Sequence, residues 1–135
     1  CSYTSAWDEF AEQIKNPFGL PAFPLLYIFD LYCRIICKYS LRDASPIKAV
    51  RGAKVPILFI HGAKDALVPV KMQKELFDAC PTQKEMLTVE NAVHAQSYYT
   101  DPRAYEAAAE KFINECENTE NTPALSAPGG GKQIG

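Results

Sequence analysis

A surplus of basic charge, long apolar runs and paired cysteines are all missing from this sequence, and each absence removes a class of function. Lys and Arg number 14 against 16 Asp and Glu, a net charge of -2. No excess of cations is there to neutralise a phosphate backbone, so nucleic acid is not an expected partner. The longest mainly apolar stretch, Leu20 to Cys37, is broken by Pro21, Pro24, Asp30 and Arg34, which argues against a membrane span. A basic start followed by an apolar core and a small-residue cleavage site is not found either, so no secretory signal is read and a cytoplasmic location is expected. None of the five cysteines lies in a Cys-x-x-Cys pair; Cys33 and Cys37 stand four apart on a predicted helix, and reduced, buried thiols are expected. With His61 and His94 far apart in sequence and no paired cysteines, no usual zinc spacing is present, and neither metal nor cofactor is expected. The sequence opens on Cys1 rather than Met, so part of a longer or processed protein is expected. A nucleophile at Cys1 activated by its own amine has only its position in favour, because the fold pattern does not support it.

What is present is the balance of a compact domain: 135 residues, 47% hydrophobic and 22% charged, with a tail that differs from the rest. Trp7, Phe10, Ala11 and Ile14 share a helical face, and Ser5 with Asp8 fits a capping box, which predicts a helix over Ser5 to Lys15. Pro17, Gly19 and Pro21 are expected to break the chain. Leu25, Ile28, Phe29, Tyr32, Ile35 and Ile36 then predict a longer helix, Phe23 to Lys38, with these residues forming its apolar stripe. Ser45 before Pro46 reads as an N-cap with proline at the first helical position, opening a short helix through Val50. Pro56 to Ile60 reads as a strand buried on both faces, and Glu85 to Val89 as another. Between them, Met72, Leu76, Phe77 and Cys80 share a helical face that Pro81 ends. Asp101-Pro102 opens a last helix with a stripe of Tyr105, Ala108, Ala109, Phe112 and Ile113. From Asn118 onward, Asn, Thr, Pro, Ser and Gly predominate, and residues 118–135 are expected to be a disordered tail. Strand, helix, strand makes the class α/β with parallel strands joined by a crossover helix. Two such strands leave sheet edges open, so further strands are expected from elsewhere.

Two polar residues follow the two strands. Asp65 lies just past the first, at the sheet edge where ligands and catalytic groups gather in open α/β folds, although loop Asp residues also serve simply to form turns. His94 follows the second strand, about one strand-helix-strand unit later, which places both loops at the same edge. A carboxylate there can fix the imidazole tautomer and leave the other nitrogen as a general base; alternatively His94 bonds only backbone groups.

The segment His61-Gly62-Ala63-Lys64-Asp65-Ala66-Leu67-Val68-Pro69 after an apolar strand, with a histidine after the next strand, resembles the C-terminal part of the α/β-hydrolase family. Tyr3 to Phe10 (Tyr-Thr-Ser-Ala-Trp-Asp-Glu-Phe) and His94 to Pro102 (His-Ala-Gln-Ser-Tyr-Tyr-Thr-Asp-Pro) are similar to stretches of its bacterial cytosolic members. The likeness covers about Cys1 to Ile113. It implies a three-layer α/β/α fold in which residues 1–117 are the C-terminal portion of the domain and about 16–50 a helical cap-like insertion. It further implies that Asp65 is the acid and His94 the base of a Ser-His-Asp triad, and that His61 is a supporting or packing residue. Two departures stand out. Val93 occupies a place where the family usually has Gly, so the histidine loop is expected to differ slightly in shape. The family's nucleophile motif, Gly-x-Ser-x-Gly, does not occur, and Ser2, Ser5, Ser40, Ser45, Ser97 and Ser126 all lack its glycine-flanked turn.

The expectation is therefore the acid-and-base part of a serine hydrolase acting on carboxylic esters or related acyl compounds, bacterial and esterase-like. Its partners are a small-molecule acyl substrate and the missing N-terminal half, with no nucleic acid and no membrane. By itself this chain is expected to be inactive. A non-catalytic α/β binding module, or an acyl transferase, dehalogenase or epoxide hydrolase on the same fold, are the alternatives. Tyr27, Phe29 and Tyr32 of the cap-like helix are read as core rather than as an acyl pocket.

Overall fold

The computed structural model describes residues 3–121. Helix α1, Ala6–Phe18, opens on Ser5, whose hydroxyl accepts the Asp8 amide at 3.1 Å and donates to the Asp8 carboxylate at 2.6 Å. The expected cap is thus formed. The helix carries on through Pro17 rather than breaking there, and closes at Gly19, where φ is +63° and the amide donates to Lys15 O. Glycine meets that left-handed angle at little cost.

The predicted cap-like helix is shorter and less regular than its periodicity implies. Helix α2, Leu25–Tyr32, passes into a π-helical turn, Cys33–Cys37, that Lys38 ends at φ +61°. The expected apolar stripe does not face a core. Leu25, Ile28, Phe29, Tyr32, Ile35 and Ile36 are exposed, and so is Tyr27, which corrects the reading of Tyr27, Phe29 and Tyr32 as core. The buried positions are Leu26, Asp30 and Cys33, which form the narrower opposite face; Leu26 and Cys33 join Leu41 and the α1 residues Ala6, Trp7, Ala11 and Ile14. Asp30 is tolerated there because its carboxylate accepts from Ser40 Oγ and Leu41 N, each at 2.8 Å, and from Arg34 Nε at 2.8 Å. Periodicity found two faces of this helix and could not say which one the fold covers.

Helix α3, Pro46–Arg51, starts where Ser45 and Pro46 place it, but the Ser45 hydroxyl makes no capping bond; its carbonyl receives the Lys48 and Ala49 amides instead. Strands β1, Ile57–Gly62, and β2, Lys84–Val89, pair in parallel from Ile57 opposite Lys84 to Gly62 opposite Val89. Among the described residues they form a two-stranded sheet. Helix α4, Val70–Ala79, is the crossover. It covers one face, where Phe59, Leu76 and Cys80 form a second core with Phe77, Ile57, Ile47 and Val50 around it. Leu58 and Ile60 turn to the opposite face and remain half-buried, so β1 is not buried on both faces as expected.

Gln73 of α4 is buried among these apolar groups and went unread in the sequence. Its Nε2 donates to Phe59 O and Leu87 O, each at 3.1 Å, while its Oε1 accepts from Thr88 Oγ1. One amide thus clamps both strands to the helix. After α5, Ser97–Thr100, helix α6 runs Pro102–Asn121 and packs against both strands, so the first four residues of the expected tail are helical; the remaining tail lies outside the described residues. Ile113 of its expected stripe is exposed. Among the described residues no cysteine is in a disulfide, and of these Cys33 and Cys80 are buried, Cys37 is exposed and Cys116 half-buried; Cys1 lies outside the described residues. Among the described residues no helix is long and apolar enough to cross a membrane.

Candidate functional site

Both strands end at the same edge, and the loops that leave them are stitched together. Ala63 N donates to Val89 O at 2.9 Å and Lys64 N to Ala92 O at 3.0 Å. Gly62 is what lets the loops come this close, because a Cβ there would stand 2.4 Å from Ala92 O. Any side chain would push the His94 loop away.

Asp65 then serves two purposes at once. Its Oδ1 accepts the Leu67 and Val68 amides at 3.0 and 2.9 Å, which closes a tight turn. The same carboxylate meets His94 Nδ1, at 3.0 Å from Oδ2 and 3.2 Å from Oδ1. The two readings left open by the sequence are therefore not exclusive. The Asp65 side chain is 0% exposed and that of His94 41%. Burial alone would push the Asp65 carboxyl up, but the Val68 amide, His94 and the Leu67 amide together hold it below the usual carboxylate range. An ionised carboxylate only accepts, so Nδ1 is the protonated nitrogen and Nε2 carries the free lone pair.

His61 supports this turn from below. It is fully buried, and its Nε2 lies 2.9 Å from Val68 O and 3.5 Å from Asp65 Oδ2. A carbonyl can only accept, so Nε2 bears the proton, and Nδ1 is left buried without a protein partner. His61 is thus a packing and supporting residue for the Asp65 turn, not a second base at the surface. From the other side, Gln13 Nε2 of α1 donates to Leu67 O at 2.6 Å, and Lys71 pairs with Glu12. Nothing in the sequence marks Gln13, because the contact spans 54 positions.

The strained angles of the histidine loop fall at Asn91, φ +63°, and Ala95, φ +57°. Val93 is not among the residues with positive φ, so its replacement of Gly costs no left-handed conformation here. Among the serines that lack the glycine-flanked turn, Ser5 caps α1, Ser40 bonds Asp30, and Ser97 is buried at the start of α5. Ser2 and Ser126 lie outside the described residues. Among the described residues no three His, Cys, Asp or Glu side chains are grouped to hold a metal ion.

Residues 35–95, which contain both strands and both loops, match the family model described as Serine hydrolase (FSH1). The chain is 26% identical over 119 residues to a Bacillus subtilis (strain 168) protein called Uncharacterized protein YqkD, a likeness that covers 88% of this chain and 39% of that one. Among solved structures, an esterase from Pyrococcus furiosus superposes with a TM-score of 0.54 at 19% identity, over 84% of this chain and 42% of the esterase. The chain thus spans about two fifths of the length of the proteins it matches. With its parallel strands, crossover helix and covering helices, the chain has part of the α/β fold of that esterase.

Proposed function

We propose that this chain supplies the acid and the base of a Ser-His-Asp triad in a serine hydrolase acting on carboxylic esters or related acyl compounds. The observation that carries the reading is the contact of buried Asp65 with Nδ1 of half-exposed His94 at the edge where both strands end. The match of residues 35–95 to serine hydrolases supports it. In this reading Nε2 of His94 takes the proton from a serine hydroxyl as its oxygen attacks the acyl carbonyl, and later returns it to the leaving group. Asp65 keeps the imidazole in the tautomer with Nε2 unprotonated and stabilises the imidazolium that forms. The serine and the amides that hold the oxyanion belong, in this reading, to a part of the hydrolase outside this sequence.

The test is covalent labelling of the complete protein with a fluorophosphonate, followed by intact mass. One adduct on a serine is expected. His94→Ala and Asp65→Asn are expected to slow labelling and ester turnover by about a hundredfold to ten-thousandfold, the range that base catalysis and tautomer control contribute. Near-normal rates in either variant would overturn the assignment. An adduct on a carboxylate or thiol, or none at all, would move the chain to one of the other chemistries this fold carries or to a binding role.

A further inference from the structure

Gln13 stands on α1, away from both strand ends, yet its side chain reaches the turn that Asp65 closes. Its Nε2 donates to Leu67 O at 2.6 Å and to Glu9 Oε1, one helical turn back, at 3.1 Å. Two oxygens facing the same end of the amide settle its orientation, since only the NH2 end can donate. A second link runs alongside: Lys71, in the first turn of α4, pairs with Glu12, the neighbour of Gln13. The consequence lies in which carbonyl Gln13 holds. The C=O of Leu67 and the N–H of Val68 belong to one planar peptide unit and point in opposite directions. The outer end of that unit receives Gln13, while the inner end donates to Asp65 Oδ1 at 2.9 Å, and the same carboxylate meets His94 Nδ1 at 3.0 Å from Oδ2. A rotation of this peptide would take the Val68 amide off the carboxylate, and the Gln13 bond opposes it. Donation to the carbonyl also polarises the peptide, which strengthens the N–H as a donor at its other end.

We propose that Gln13 is a positioning residue for the hydrolytic reaction, acting on His94 through the Leu67–Val68 peptide and Asp65. The inference rests on the reading of Asp65 and His94 as acid and base. Gln13 transfers no proton itself; it holds the peptide that holds the carboxylate, and the carboxylate holds the imidazole. A small displacement at a reacting group lowers the rate of the chemical step steeply. Loss of the Gln13 donor is therefore felt in turnover and in the reactivity of the serine, and not in how the acyl compound is bound.

The test uses the complete protein, with p-nitrophenyl acetate for kcat and KM and a fluorophosphonate for the labelling rate. Gln13→Met removes the donor with little change in length or helix preference, and Gln13→Lys keeps an N–H donor within reach. In Gln13→Met, kcat and labelling are expected to fall by about two- to tenfold, the range that the net contribution of one hydrogen bond allows, with KM unchanged; Gln13→Lys should restore most of the loss. In an Asp65→Asn background, Gln13→Met should cost nothing further, because the path is already broken at the carboxylate, whereas a purely structural effect would persist there. Should the methionine variant not fold by circular dichroism, Gln13→Glu, which keeps the length and puts an acceptor where the donor stood, reads the same loss. The proposal is overturned if the donor-less variant works at the parent rate, if its loss appears in KM instead, or if the loss recurs in full beside Asp65→Asn. His94→Ala separates the two failures. If it slows labelling by about a hundredfold or more while loss of the Gln13 donor does not slow it, the triad reading stands and Gln13 is no positioning residue; near-normal labelling in His94→Ala removes both.

Discussion

At the scale of a single residue, Asp65 carries the most consequence, because one buried carboxylate closes a turn and holds the imidazole of His94. The same bonds that orient His94 also stabilise the fold, and their pH dependence has a definite sign. Its folded pKa is lowered, so the ionised form is favoured by folding. The stability it contributes is present above the unfolded-chain value of about 3.9 and is lost as pH falls through the lower folded value. Urea unfolding of the chain and of Asp65→Asn should therefore differ by about 1–3 kcal/mol at neutral pH, the cost of leaving buried donors poorly matched. The gap should close as pH falls below about 4. A gap that widened on acidification would show that Asp65 is not held ionised by these bonds.

At the scale of elements, the site depends on two loops held closer than most side chains allow. Gly62, the last residue of β1, faces the backbone of Ala92 and Val93. In Gly62→Ala the added methyl would meet Ala92 O at 2.4 Å, and backbone has little room to yield. Overpacking of this kind costs about 1–3 kcal/mol, and the shift should also lengthen the Asp65 to His94 contact. The expected outcome is a lower urea midpoint together with a changed His94 ring resonance in NMR; an unchanged His94 signal would mean the loops move independently. The same scale shows what sequence periodicity could and could not deliver. The capping pair Ser5 and Asp8, proline at the start of α3 and α6, and the alternation of strand and helix from Ile57 to Val89 are local signals, and each element formed where its signal lay. The stripe of Ile28, Phe29, Tyr32, Ile35 and Ile36 was equally regular, yet its opposite face is the one α1 covers. Regular spacing marks a face as apolar, whereas the partner that covers it is a matter of tertiary packing.

At the scale of the whole molecule, the exposed apolar residues are too many and too contiguous for an ordinary surface. Leu25, Ile28, Leu31, Tyr32, Ile35 and Ile36 lie along one helical segment, each more than half exposed. Patches of this kind normally mark a covered interface. The described strands also leave their outer edges without a neighbour, which is the arrangement expected of part of a larger sheet. The chain by itself should therefore bind the dye ANS or self-associate in sedimentation, whereas the same chain joined to the rest of the proposed hydrolase should do neither. A monodisperse, dye-silent chain that unfolds cooperatively would instead favour an independent binding module.

Much of the site was legible because its chemistry sits in short-range patterns. The sequence by itself determined that there are two parallel strands joined by a helix, and that Asp65 and His94 follow them at matching places. Strand polarity and crossover length oblige those loops to share an edge. What only the tertiary structure decided is how the pair is held: Gln13 bonding Leu67 from 54 positions away, Gln73 clamping both strands, His61 supporting the turn through Val68, and the cap-like helix turning its broader apolar face outward. Each of these is a contact between residues that no local pattern relates. It forms only once hydrophobic burial has set the elements against one another and each buried polar group has had to find a partner.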